Sequence, residues 1–140
     1  MVCYTHTMLL LLAGATETAR GLVAENFLGE HPDWKHLALE DIYDPNPADE
    51  AADEFQTAFN TIVACECVRD ARKAEGCAVL ITCPSPAMLE TVQEEFPKDL
   101  VCIRLGTERE WEGHSFDHEV NAKKCSLKEI AGFLKKLAKA

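Results

Sequence analysis

Met8-Leu9-Leu10-Leu11-Leu12-Ala13-Gly14-Ala15-Thr16-Glu17-Thr18-Ala19-Arg20-Gly21 is the stretch that decides how this chain is read. An unbroken apolar run from Met8 to Ala13, without polar alternation, suits a strand covered on both faces, as in a parallel sheet. Gly14 closes it. A secretory signal needs basic residues ahead of its apolar core, and no Lys or Arg precedes Arg20. The run is also far shorter than the roughly 20 residues that span a bilayer. A buried strand is what remains. The residues that follow it lie where parallel sheets place their ligand loops, at the carboxyl ends of the strands.

Outward from this strand, the pattern alternates. Leu22, Val23, Phe27 and Leu28 recur at helix spacing, and Gly29 stops them. His36 to Leu39 reads as a second strand, leading into Glu40-Asp41-Ile42. Asp44-Pro45-Asn46-Pro47 is a turn cluster. A long helix is expected from about Ala48 to Lys73, ended by Gly76, with Ala51, Phe55, Phe59, Ile62, Val63 and Cys67 marking one face. Cys77 to Thr82 reads as a third buried strand. Ser85 and Pro86 then supply an N-cap and a first helical residue, and Pro97 ends that helix. Leu100 to Leu105 makes a fourth strand and Phe116 to Val120 a short fifth. Ser126-Leu127-Lys128-Glu129 matches a capping box for a last helix striped by Leu127, Ile130, Leu134 and Leu137.

The order β-α-β-α-β-α-β-β-α predicts one domain over residues 1–140. Its form is a three-layer α/β/α sandwich around a mostly parallel five-stranded sheet. At 140 residues the chain can bury a core without staples. With 24 acidic against 14 basic residues, the net charge is -10, which argues against nucleic acid or an anionic membrane as partner. The charge is uneven. Eight acids and no Lys or Arg lie between His36 and Val68, and six lysines lie from Lys123 onward. Seven cysteines, with no CxxC pair, cannot all pair within one chain and point to a reduced, cytoplasmic setting. Cys83, at a strand end beside a helix start, is the candidate for a reactive thiol, with an inert buried thiol as the plain alternative. His114 and His118 lie in a loop running into a strand, which does not set them on one face, so no metal site is expected.

Gly14 to Gly21 has the length and place of a phosphate loop, whose working form is GxxxxGK[ST]. Together with the preceding leucines, the segment His31-Pro32-Asp33-Trp34-Lys35-His36-Leu37, and Asp117-His118-Glu119-Val120-Asn121 ahead of a capped helix, it makes the chain resemble the small P-loop kinases of the nucleotide-kinase type. That resemblance implies strand order 2-3-1-4-5. It implies a nucleotide site formed by Gly14, Ala15, Thr16, Glu17, Thr18, Ala19, Arg20 and Gly21. It further implies Arg20 in the place of the catalytic lysine, Asp41 on the substrate side, and Arg109, with Arg104, near where lid arginines close.

The departures from the pattern are chemical. Ala19 replaces the second glycine, Arg20 the lysine and Gly21 the magnesium-binding hydroxyl, while Glu17 adds negative charge to the loop. Thr82 or Cys83 stands where a carboxylate is expected at the end of the third strand. Guanidinium is planar and bulky where ammonium acts as a point charge, and glycine cannot ligate magnesium. The sequence therefore implies a degenerate kinase-like domain. Such a domain binds a nucleotide or phosphometabolite, ATP and Mg2+ included, at most weakly, or plays a regulatory role. Two alternatives stand beside it. One is an active kinase with an unusual loop. The other is an interaction module whose acidic Glu40–Glu54 stretch or lysine-rich last helix docks a partner, a homodimer included. The plainest reading of the loop is a strand-to-helix turn capped by Thr16 or Thr18.

Overall fold

A computed structural model describes residues 9–42, 50–76 and 78–139. The elements run β1 (Leu9–Ala13), α1 (Glu17–Glu30), β2 (Lys35–Ala38), a 3-10 turn (Leu39–Asp41), α2 (Glu50–Glu75), β3 (Val79–Cys83) and α3 (Pro86–Glu95). They continue with β4 (Leu100–Arg104), a 3-10 turn (Arg109–Trp111), β5 (His118–Glu119) and α4 (Leu127–Lys139). The five strands form one sheet in the order β2-β3-β1-β4-β5, every pair parallel. This is the α/β architecture and strand order expected. Met8, Asp44 to Asp49 and Cys77, which entered the expected elements and turn, lie outside the described residues.

β1 is central because its side chains have nowhere to go but inward. All five of its residues are fully buried. Leu9, Leu11 and Ala13 pack on one face with Cys65 and Val68 of α2 and Met88, Leu89 and Val92 of α3. Leu10 and Leu12 pack on the other face with Val23, Ala24 and Phe27 of α1 and Ile130 and Leu134 of α4. Strand alternation thus builds two cores from one leucine run. The helix starts hold as read. The Ser85 hydroxyl accepts from Met88 N at 3.3 Å. Ser126 and Glu129 bond each other's backbone amides at 3.0 and 3.1 Å, a complete capping box.

Three apolar faces differ from expectation. Leu127, placed on the α4 stripe, is exposed at the helix start, while Ile130 and Leu134 are buried. Leu22 turns outward from α1 and is 52% exposed. Among the described side chains of α2, Thr61, Cys65 and Val68 are buried, while Phe59, Ile62, Val63 and Cys67 face solvent; the side chains of Ala51 and Phe55 lie outside those described. The buried and exposed sets share the same turns of the helix. At about 100° per residue Thr61, Cys65 and Val68 fall on one side, turned to the sheet, and Phe59, Ile62 and Val63 fall on the opposite side, turned to solvent.

Replacing Leu11 with Ala should lower unfolding stability by about 2–5 kcal/mol, the cost of a cavity in a closed core. Phe59→Ser should stay within about 0.5 kcal/mol. Urea unfolding checks both. Equal losses at the two positions would contradict the placement of α2.

Candidate functional site

The link between β1 and α1 is three residues long, Gly14, Ala15 and Thr16. Thr16 is the N-cap, its hydroxyl accepting from Ala19 N at 3.0 Å. Glu17, Thr18, Ala19, Arg20 and Gly21 therefore lie in the first turns of α1. Glu17 sits favourably at the positive end of the helix. Gly14 and Ala15 both adopt left-handed backbone, with φ of 84° and 57°. Glycine takes that conformation freely and alanine does so at a cost, so the turn is held by its surroundings.

Arg20 does not reach into solvent. It is 5% exposed. Its Nε donates to Glu40 Oε2 at 3.0 Å, and its Nη1 lies 3.3 Å from the carbonyl oxygens of Gly14 and Ala15. The guanidinium thus ties the turn's carbonyls to the segment after β2. Glu40 in turn accepts from the Thr82 hydroxyl at 2.7 Å, and His36 Nε2 lies 3.0 Å from the same hydroxyl oxygen. Since Thr82 spends its proton on Glu40, His36 must be the donor to it. The parallel register brings these groups together, pairing Ala38 with Thr82 and Ala13 with Cys83 across the strand ends. A carboxylate does stand at the end of β3, but it is supplied by Glu40 from beyond β2.

The electrostatics follow from burial and pairing. Burial pushes the Glu40 carboxyl up, but hydrogen bonds from Thr82, its own backbone amide and Arg20, with the Arg20 charge, outweigh it and hold the group below the usual value. Burial also lowers His36, against the opposing pull of Glu40 and Asp41.

A second carboxylate closes the turn from the other side. Glu108 Oε1 accepts from Ala15 N at 2.9 Å. A Cβ on Gly14 would stand 3.3 Å from that oxygen, and one on Gly106 would collide with the same carboxylate and lie 2.8 Å from Ala15 N. Glu108 therefore fills the hollow between Gly14, Ala15 and Gly106, where a phosphate loop offers its amides to an anion. Arg104 holds the segment, its Nη2 donating to the Glu108 carbonyl at 2.8 Å and its Nη1 to Glu119 at 3.1 Å. Asp41 and Arg109 are exposed and stand outside both contacts.

Chemistry elsewhere is quiet. Burial pushes the Cys83 thiol up to about 12, and it donates to the Ser85 carbonyl at 3.3 Å, so the reactive reading of Cys83 gives way to the inert one. Burial likewise raises Cys65 to about 12 and Cys102 to about 11. The described cysteines, Cys65, Cys67, Cys83, Cys102 and Cys125, are all free thiols. Among the described residues no cluster of His, Cys, Asp and Glu has the makings of a metal site, and no helix is long and apolar enough to cross a membrane.

No protein-family profile matches the chain, and no curated protein sequence does. Solved structures do. A sugar kinase from Janibacter sp. HTCC2649 superposes with a TM-score of 0.64 at 14% identity, over 93% of both chains. An APS kinase from Mycobacterium tuberculosis gives 0.63 at 13% identity, over 95% of this chain and 98% of that one. A gluconokinase from Sinorhizobium meliloti gives 0.60 at 12%, over 96% and 95%. The fold is P-loop kinase-like. At these identities the likeness is one of fold, and the kinase-like domain carries its own side chains at the loop.

In the sequence Arg20 and the Gly14–Gly21 stretch stand out. Thr82 stands there only where a carboxylate is expected, Glu40 only as the first acid of a docking stretch, and His36 and Glu108 carry no site role. The one available signal was charge: a buried cation beside apolar strands needs a carboxylate, and Glu40 is the acid nearest the end of β2.

Both titrating groups make stability rise with pH on the acid side. His36 has a folded value below 6.5, so the unfolded chain takes up its proton first, and stability falls as pH drops from 6.5 through the lowered value. Glu40 has a folded value below 4.5, so its contribution is intact above 4.5 and is lost as pH falls through the folded value. Urea unfolding should show both phases, the upper one missing in His36→Gln. An unchanged upper phase in that variant would contradict the assignment.

Proposed function

We propose that this chain is a non-catalytic member of the kinase-like fold, with a regulatory or assembly role rather than ATP-dependent phosphoryl transfer. One observation carries the reading: both halves of the anion site are already satisfied from within. The only cation in the loop, Arg20, is buried against Glu40 and two carbonyls. The Ala15 amide is taken by Glu108. Phosphoryl transfer works through positioned positive charge on the transferring group, and here the loop's charge is neutralised and a carboxylate repels what it should attract. Gly21 offers no hydroxyl for magnesium. The sugar kinase, APS kinase and gluconokinase that share the fold support the fold, not a substrate.

Isothermal titration with ATP, with and without magnesium, tests this. The wild-type chain should give no saturable binding below the millimolar range. Glu108→Ala, which frees the Ala15 amide and removes one negative charge, should bind ATP more tightly than wild type in low salt. Micromolar, magnesium-dependent binding by the wild-type chain, abolished in Arg20→Ala, would overturn the proposal in favour of an active kinase.

A further inference from the structure

Among the described residues five large apolar side chains are exposed: Leu22, Phe59, Ile62, Val63 and Leu127. They fall into two patches. Phe59, Ile62 and Val63 stand at i, i+3 and i+4 on the outer face of α2, with exposed Glu66 and Asp70 continuing the same face toward the C-terminus. This is the stripe that periodicity marks as a packing face, left in water. Leu127 lines a groove of about 500 Å³ between α1 and α4, with Asn26, Glu30, Lys128, Ala131, Gly132 and Lys135. Leu22 precedes Asn26 and Glu30 at four-residue steps and so extends the same wall. The groove is concave because its floor is small. A Cβ on Gly132 would meet nothing within 4 Å.

The two patches complement each other. One is a convex apolar ridge with acids at its end. The other is a concave apolar groove rimmed by lysines, with Glu30 its one opposing charge. They also lie on opposite faces of the sheet, since α2 packs with Leu9 and Leu11 and the α1–α4 pair with Leu10 and Leu12. No single copy can bring them together.

We propose that the α2 ridge of one copy docks in the α1–α4 groove of a second copy. Phe59, Ile62 and Val63 enter between Leu22 and Leu127, and Glu66 and Asp70 meet Lys128 and Lys135. The contact is heterologous, so each docked pair leaves one ridge and one groove free, and assembly continues or closes into a ring. Burying the apolar ridge drives it, and the charges set its direction. This inference stands apart from the closed phosphate loop and holds whatever that loop binds.

Sedimentation velocity of the full chain tests it with two variants. Phe59→Glu destroys the ridge and leaves the groove. Gly132→Glu puts a carboxylate into the groove and leaves the ridge, at a helix position with open space. The wild-type chain should show mass rising with concentration beyond a dimer, and each variant alone should be monomeric. Their mixture should form a one-to-one heterodimer and nothing larger, which only two intact, well-folded complementary surfaces can do. A wild-type chain that stays monomeric, one that stops at a dimer, assembly indifferent to both variants, or a mixture of variants that stays monomeric although each unfolds in urea like the wild type would each overturn the proposal.

Discussion

A guanidinium buried at the end of a leucine strand sets the terms for everything around it. Arg20 cannot be left without a partner there, because an unpaired charge out of water is far costlier than a hydrogen bond repays. Glu40 answers that need, and so the segment after β2 is drawn over the end of β3, where Thr82 completes the carboxylate's bonding. The same guanidinium holds the Gly14 and Ala15 carbonyls, and with them a left-handed turn that alanine does not favour. Turn, helix start and two strand ends are thus one electrostatic unit. In a phosphate-binding loop the corresponding charge must be free to face a ligand. Here it is used to build the fold.

The fold was largely legible because its determinants are local. An apolar run such as Leu9–Ala13, short and closed by Gly14, reads as a buried strand from its own residues, and a capping box or a Ser-Pro helix start involves residues only a few positions apart. The parallel sheet and its order followed from that alternation and the resemblance. What was not legible was which face of α2 is covered. Its stripe of Phe59, Ile62 and Val63 is as regular as a core stripe. The choice between the two sides of the helix is made by long-range packing on the assembled sheet, and the chain packs through Thr61, Cys65 and Val68 instead. Periodicity finds apolar faces; it does not say whether the same molecule covers them.

The site was half legible for a related reason. Arg20 and the turn announce themselves by position after the first strand. Their partners are separated from them by 20 residues for Glu40 and by 93 from Ala15 for Glu108. Such pairings are fixed only once the sheet is assembled. The sequence does show Ala19, Arg20 and Gly21 where the pattern GxxxxGK[ST] has glycine, lysine and a hydroxyl residue. It does not show that Glu108, one of several acids between Arg104 and Glu112, lies against Ala15 because Gly106 lets the two loops approach.

A double-mutant cycle between Arg20 and Glu40 bears most directly on this account. Stabilities of the wild-type chain, Arg20→Met, Glu40→Gln and the double variant would be compared by urea unfolding. If the pair holds the turn together, each single change is costly, and the double variant loses clearly less than the sum, with a coupling in the range of about 0.5–3 kcal/mol. Single changes that cost nothing and add without coupling would mean that Arg20 is free in solution, and the loop would then have to be read again as a site for an anion.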